Sequence, residues 1–377
     1  MKKQKNGLIE LIRFLFASTV ILFHIAIDIK RRKAVLLNLG WFGKLTLARN
    51  GNACVEFFFL LSGLFMAKSI YDSLQKKDSQ IPLGEETVLF IWNKAKRILA
   101  YYLPITLLAF LVRIILKQKL TFWRLINYLP SFIFLQRTGI SAKNFIGVAW
   151  YLSSMFIAMA IIYPICKKHY NMFTMVYGPL LGILLIGFLI KETGSLGKVT
   201  KWMGFTYKSN LRALAGVSLG TACYEIGRRL QQIEFKTSAR VKFTLLGFIA
   251  YTIPFLYFYS NISGKSAGII VLFQCVAITI TYGEAGILCH KGVFQKKLFY
   301  YLGRISLPMY LFQNIFRQLS NKYCKPLPKR YRVLLVYFAT LLAAILFDLI
   351  LNQIRKMRQK QSNSIENKSI HEVKSPK

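Results

Sequence analysis

Residues 8–27 read LIELIRFLFASTVILFHIAI. Twenty residues of this composition make a helix about 30 Å long, the thickness of a bilayer's hydrocarbon core. A basic segment precedes them, as in a signal peptide. Glu10 and Arg13 interrupt the run, however, and no small-residue cleavage site follows, so the segment reads as a retained first membrane span. Nine further apolar stretches follow, each fenced by Lys, Arg, Asn, Gly or Pro. Ten spans are expected, near 8–27, 52–73, 98–117, 146–165, 174–191, 212–227, 243–260, 267–289, 298–318 and 332–353. The sixth is short and rich in Gly and Ala, which suits a closely packed interior helix. Segment 120–136 (LTFWRLINYLPSFIFLQ) is amphipathic and broken by Pro130, an interfacial or re-entrant pattern. The expected fold class is all-α: a polytopic membrane helix bundle over residues 1–353, with no soluble domain and no internal repeat. Residues 354–377 are polar and basic and are expected to form a disordered cytoplasmic tail.

Composition agrees. The chain has 377 residues, 54% of them apolar, and a mean hydropathy of +0.41. This excludes a soluble α/β enzyme, a disulfide-stapled secreted domain and a disordered chain. A transmembrane β-barrel would alternate over about ten residues rather than run continuously. Lys and Arg number 52 against 14 Asp and Glu, a net charge of +38. Such a balance raises nucleic acid as a partner. Here the basic residues sit in short clusters between apolar runs, where membrane proteins keep them, so no nucleic acid is expected. The expected partners are the lipid bilayer and anionic ligands. The six cysteines form no C-x-x-C pair and read as small hydrophobes, so no metal site is expected.

An even number of spans puts both termini on one side. The tail (Arg355, Lys356, Arg358, Lys360) and the Arg228–Lys242 loop favour a cytoplasmic location for both. The other side is basic as well, with Lys30-Arg31-Arg32-Lys33 and Lys329-Arg330.

A charge at membrane depth costs at least ~2.5 kcal/mol on insertion scales, and the first span carries Glu10, Arg13 and His24. Arg13 and His24 are eleven residues apart, three turns plus about 20°, hence on one face and about 16 Å apart along the axis. Glu10, three residues before Arg13, can pair with it. The bland alternative has Glu10 and Arg13 snorkelling at the interface and His24 satisfied in the core. The second span carries Glu56 near one end, with Ser62 and a Gly63-x-x-x-Ala67 packing face at its middle. A basic cluster, Lys94-Ala-Lys-Arg97, opens the third. Lys94 and Arg97 share a helix face and suit phosphate groups or lipid headgroups.

The run Leu8…Glu10…Arg13…His24 resembles the opening of the membrane-bound acyltransferase 3 family, polytopic O-acyltransferases of bacterial surface polysaccharides. So do four later stretches in family order: Gly51…Val55-Glu56-Phe57-Phe58…Ser62-Gly63, Arg97…Tyr101-Tyr102-Leu103-Pro104, Ala149-Trp150-Tyr151-Leu152-Ser153-Ser154, and Tyr301-Leu-Gly303…Ser306…Tyr310-Leu311-Phe312. The resemblance implies about ten spans and a multi-pass enzyme of the plasma (inner) membrane. It implies transfer of an acyl group, usually acetyl, from cytoplasmic acyl-coenzyme A to a sugar hydroxyl of a cell-envelope or exported polysaccharide. Capsule, exopolysaccharide, O-antigen and peptidoglycan sugars are acceptors of the family. His24 falls on its essential histidine, Arg13 on its first-span arginine and Glu10 on the acidic position before it.

Two positions depart from the family pattern. The loop R-x-x-R appears as Lys94-x-x-Arg97, which keeps charge but loses one bidentate fork. Gln313 stands where many members have His; it can hydrogen-bond but cannot act as a base. No hydrolase-like C-terminal domain follows, residues 354–377 being too few for one.

The chemistry this implies has His24 as the base that takes the proton of the attacking hydroxyl, with an acyl-imidazole as the covalent variant. Arg13, Lys94 and Arg97 would hold the donor's phosphates. Glu56, Ser62, Trp150, Ser153, Ser306, Tyr310 and Gln313 are the acceptor-binding and oxyanion candidates. Acetyl-coenzyme A enters as donor substrate; no bound cofactor is expected. The rival reading is a transporter or flippase of lipid-linked glycans, which repeated halves with broken helices would favour. A non-catalytic scaffold with a structural His24 comes third.

Overall fold

The structure, a computed structural model, describes residues 6–30, 35–38, 44–76, 81–116, 121–140, 145–290 and 292–373. The apolar runs become helices α1 (Gly7–Asp28), α2 (Cys54–Leu74), α3 (Leu83–Ile115), α4 (Phe122–Tyr128), α5 (Trp150–Lys168), α6 (Gly178–Thr193), α7 (Lys208–Leu230), α8 (Thr237–Tyr259), α9 (Ala267–Tyr282), α10 (Lys297–Tyr323) and α11 (Lys329–Val373). The start of α1 is fixed by Asn6, whose side chain accepts from the amides of Leu8 (3.1 Å) and Ile9 (3.3 Å). A two-stranded antiparallel hairpin, β1 (Val35–Asn38) and β2 (Lys44–Thr46), lies between α1 and α2.

Each of the ten expected spans coincides with one long helix. Eight of them are long and apolar enough to cross a membrane. The other two, α7 and α10, are long enough but more polar. Their polar residues face protein: Lys208, Asn210, Arg212, Ser218, Thr221 and Glu225 on α7 and Ser306 and Gln313 on α10 are all buried. The peripheral helices show the reverse. Leu107 and Leu111 on α3, Leu184 on α6, Phe248 on α8 and Phe338 and Leu342 on α11 are exposed. In α2, 78% of the most apolar window is buried, against 22% in α11. A polar interior inside an apolar skin fits lipid as the surrounding solvent, not water.

Gly303 lies beside Glu10, and Arg304 pairs with Asp348 at 2.8 Å, so the start of α1 and the later part of α11 lie at the same end. This will be called the Arg13 end, and the other the His24 end. At the centre α1 runs along α10, and α2 runs along α7. The α2–α7 seam is set by glycine: a Cβ on Gly63 would fall 2.0 Å from the Val217 carbonyl oxygen, and one on Gly220 would fall 2.1 Å from that of Leu60. Small residues thus let two backbones touch where larger ones would hold them apart. Phe16 of α1 joins this centre, packing edge-on against Phe57 (4.7 Å) and Phe258 (5.0 Å).

Two expectations are refined. The Pro-broken segment becomes α4 followed by a 3₁₀ stretch at Leu129–Ile133. The tail expected to be disordered continues α11 as a helix to Val373. Residues 352–373 hold many Gln, Lys, Arg, Met and Glu and no Gly or Pro, so nothing in them breaks the helix. Of the basic quartet Lys30–Lys33, all but Lys30 lie outside the described residues.

Candidate active site

Glu10 and Arg13 meet as helix spacing predicts, with Arg13 Nη1 donating to Glu10 Oε2 at 2.7 Å. The carboxylate is buried against α10, where Gly303 makes room: a Cβ there would come 1.8 Å from Glu10 Oε2. The Arg13 side chain is 28% exposed and lines a cavity of about 230 Å³. Lys94 of α3 lines it too, with Ser62 and Phe58 of α2, Tyr151 and Met155 of α5, and Ser306 and Tyr310 of α10. Both charged lining residues are cations. Lys94 lies within electrostatic reach of Arg13 and Arg97. Arg97, one turn further along α3, is exposed and does not line the cavity.

The hydroxyls lining the cavity are engaged. Ser62 Oγ lies 3.1 Å from the Tyr151 hydroxyl and 3.2 Å from Met155 Sδ. Ser306 donates to the Gly303 carbonyl (2.7 Å), and Tyr310 donates to that of Val148 (2.5 Å). Tyr151 and Tyr310 stand with ring centres 6.2 Å apart.

One turn beyond Tyr310 on α10 is Gln313, fully buried, whose Oε1 is 3.0 Å from His24 Nδ1. The Gln313 amide nitrogen donates to the Tyr310 carbonyl at 2.8 Å. Its oxygen therefore faces the imidazole and accepts the Nδ1 hydrogen, which puts the lone pair of the neutral ring on Nε2. The nearest acid, Asp28, is occupied: Arg317 grips it with Nε at 2.6 Å and Nη2 at 2.8 Å. The histidine is thus oriented by a neutral amide and not by a carboxylate.

Of the expected site residues, Arg13, Lys94, Ser62, Ser306 and Tyr310 line the cavity, whereas His24, Gln313, Glu10 and Arg97 do not, and Glu56, Trp150 and Ser153 lie elsewhere. Glu56 accepts from Arg212 Nε at 2.7 Å in a buried ion pair, and the guanidinium lies 5.3 Å over the Trp150 ring. Ser153 Oγ accepts from the Arg137 amide at 3.1 Å. None of the three lines the cavity. Sequence reading passed over Tyr151, Asp28, Arg317 and Arg212 as site residues. An arginine in the Gly- and Ala-rich sixth span was the available signal for Arg212, since a charge at that depth needs a reason.

A family model described as an acyltransferase domain, that of acyltransferase 3, matches residues 6–349. The chain belongs to the acyltransferase 3 family. It is therefore a membrane acyltransferase with several spans. The acyltransferase 3 match takes in α1 through the first half of α11, so the cavity, His24 and the Glu56–Arg212 pair all fall inside the domain. No curated protein and no solved structure matches the chain.

Proposed function

We propose that this acyltransferase moves an acetyl group from cytoplasmic acetyl-coenzyme A to a sugar hydroxyl of a cell-envelope or exported polysaccharide, in the plasma membrane with both termini cytoplasmic. One observation carries the reading. A single cavity is lined by two cations, Arg13 and Lys94, and by Tyr310, one turn along α10 from Gln313, whose amide oxygen meets His24. A donor with phosphates at one end and a thioester at the other suits such a cavity. Arg13 and Lys94 hold the phosphates, and the pantetheine arm spans toward Tyr151 and Tyr310. Arg97 stands at the rim as a steering charge.

His24 Nε2 takes the proton of the sugar hydroxyl as its oxygen attacks the thioester carbonyl carbon. The tetrahedral intermediate collapses, the C–S bond breaks, and the thiolate takes the proton back from the imidazolium. The products are an acetyl ester and free coenzyme A thiol. Gln313 is a positioning residue that keeps Nε2 unprotonated between turnovers.

The test is O-acetylation of envelope polysaccharide, read by proton NMR, in a deletion strain complemented at matched membrane expression. Wild type is expected to restore the acetyl signal and His24→Ala to leave it absent; full restoration by His24→Ala overturns the mechanism. Gln313→Leu is expected to lower the rate about 10- to 100-fold, part of the 10²–10⁴ that a positioned base contributes. Gln313→Glu, which still accepts from Nδ1, should retain most of it. Failure of polysaccharide export in the deletion strain would instead favour a glycan transporter.

A further inference from the structure

The His24 end holds a second, smaller cavity of about 150 Å³, apart from the donor cavity, with Arg49, Asn50, Asn52, Ser195 and Gly197 among its walls. Its scaffold is built from backbone carbonyls and amides. Asn50 Nδ2 donates to the carbonyls of Tyr257, Ser260 and Ile262 at 3.3, 3.3 and 3.0 Å, which pins the α1–α2 connection to the end of α8. Gly51, between Asn50 and Asn52 in the chain, lies close against the Cβ of Phe23, the chain neighbour of His24.

Behind two of these walls stand buried cations. The Asn52 carbonyl accepts from Arg212 Nη2 at 3.2 Å. The Ser195 carbonyl accepts from Lys208 Nζ, which also donates to Thr193 Oγ1 at 2.5 Å. Arg212 has Glu56 as counter-ion. Lys208 is fully buried and its hydrogen-bond partners are neutral oxygens. Among the charges acting on it, Arg212, Lys198 and Lys201 are basic, and the acidic one, Glu56, is paired through Oε1 with Arg212. A second cation is in the same position in this corner. Arg137 is 4% exposed and stacks 5.3 Å over Tyr207, and its Nε and Nη1 have no hydrogen-bond partner among the described residues. Its carbonyl is tied to α7 by Asn210 Nδ2 at 2.8 Å. A buried charge without a counter-ion is costly, and an anion bound in this corner would offset that cost.

We infer that this pocket is the anion subsite of the acceptor: it takes a carboxylate or phosphate carried by the sugar, with Lys208 as counter-ion. The inference rests on the proposed function in that the His24 end receives the acceptor. It adds that the acceptor is an acidic or phosphorylated sugar, and it makes Lys208 a residue of acceptor specificity, not of donor binding.

The test uses the full chain in nanodiscs of neutral phosphatidylcholine, following the thermal unfolding midpoint at constant ionic strength. Sodium glucuronate, inorganic phosphate and glucose are the probes. The two anions are expected to raise the midpoint by several degrees and glucose to leave it unmoved. Lys208→Gln should abolish both anion shifts while keeping the shift produced by acetyl-coenzyme A at the other end of the bundle. Arg49→Gln, on the pocket wall, should weaken the anion shifts and provides a second variant should Lys208→Gln fail to fold. No anion shift in wild type, or equal shifts in both variants and wild type, overturns the subsite. Loss of the shifts in discs containing phosphatidylglycerol assigns the pocket to a lipid headgroup and overturns the sugar. Anion binding without any acetyl transfer upholds the pocket and overturns the reading of function beneath it.

Discussion

Two glutamate–arginine pairs sit at opposite ends of the bundle and differ in almost everything except chemistry. Glu10 and Arg13 are three residues apart on one helix, and the arginine opens into a cavity with 28% of its side chain exposed. Glu56 and Arg212 lie on different helices and are sealed, with side-chain exposures of 3% and 1%. A sealed pair is held by its burial, because removing either partner strands the other charge away from water. An open pair gives up little stability when broken, since water and salt screen what remains. The difference separates a charge sealed into the fold from a charge that opens into a cavity.

The largest expected effect comes from breaking the sealed pair. Arg212→Ala should cost about 3–5 kcal/mol, visible as loss of the monodisperse peak in fluorescence-detected size-exclusion chromatography of solubilised membranes. Arg212→Met with Glu56→Gln should recover much of that loss. A single variant as stable as wild type would erase the contrast between the pairs. Next is Gly303→Ala, whose added methyl occupies the space of the Glu10 carboxylate. A cost of about 1–3 kcal/mol is expected in the thermal midpoint, with weakened acetyl-coenzyme A binding because Arg13 loses its orienting partner.

Arg13→Ala should barely move the midpoint, by at most about 1 kcal/mol, yet raise the KM for acetyl-coenzyme A about tenfold. That matches the ~1.5–3 kcal/mol of a hydrogen bond to a charged group. Retained donor affinity would remove Arg13 from the donor site. Smallest of all is Glu10→Gln, which keeps a hydrogen-bond acceptor for Arg13. A change of KM below about threefold is expected, with ~0.5 kcal/mol or less in stability.

What could be read from the chain follows the same division. The ten helices were legible because each apolar run is continuous and fenced. The Glu10–Arg13 pair was legible because three residues on a helix place side chains together whatever the rest of the fold does. Glu56–Arg212 and His24–Gln313 join residues 156 and 289 positions apart. Helix periodicity holds no information at that range; only the packing order of α1, α2, α7 and α10 brings these partners into contact. Gln313 shows the cost. As a sequence position it was a residue that cannot be a base, and only its placement against Nδ1 shows that it can orient one. In the tail, low hydropathy points to disorder, while unbroken helix-forming residues carry α11 onward to Val373.

The parallel contact of α1 with α10 has a consequence for how this chain can vary. Glu10 meets Gly303, His24 meets Gln313 and Asp28 meets Arg317, so the two helices are fastened at three heights. Between Arg13 and His24 they act as a caliper. One inserted or deleted residue in positions 14–23 would swing the imidazole about 100° around the axis and part it from Gln313, while leaving Arg13 in the cavity wall. Within that stretch the side chains can drift while the number of residues cannot. A donor of different reach would have to be accommodated by widening the cavity from the α3 and α5 side.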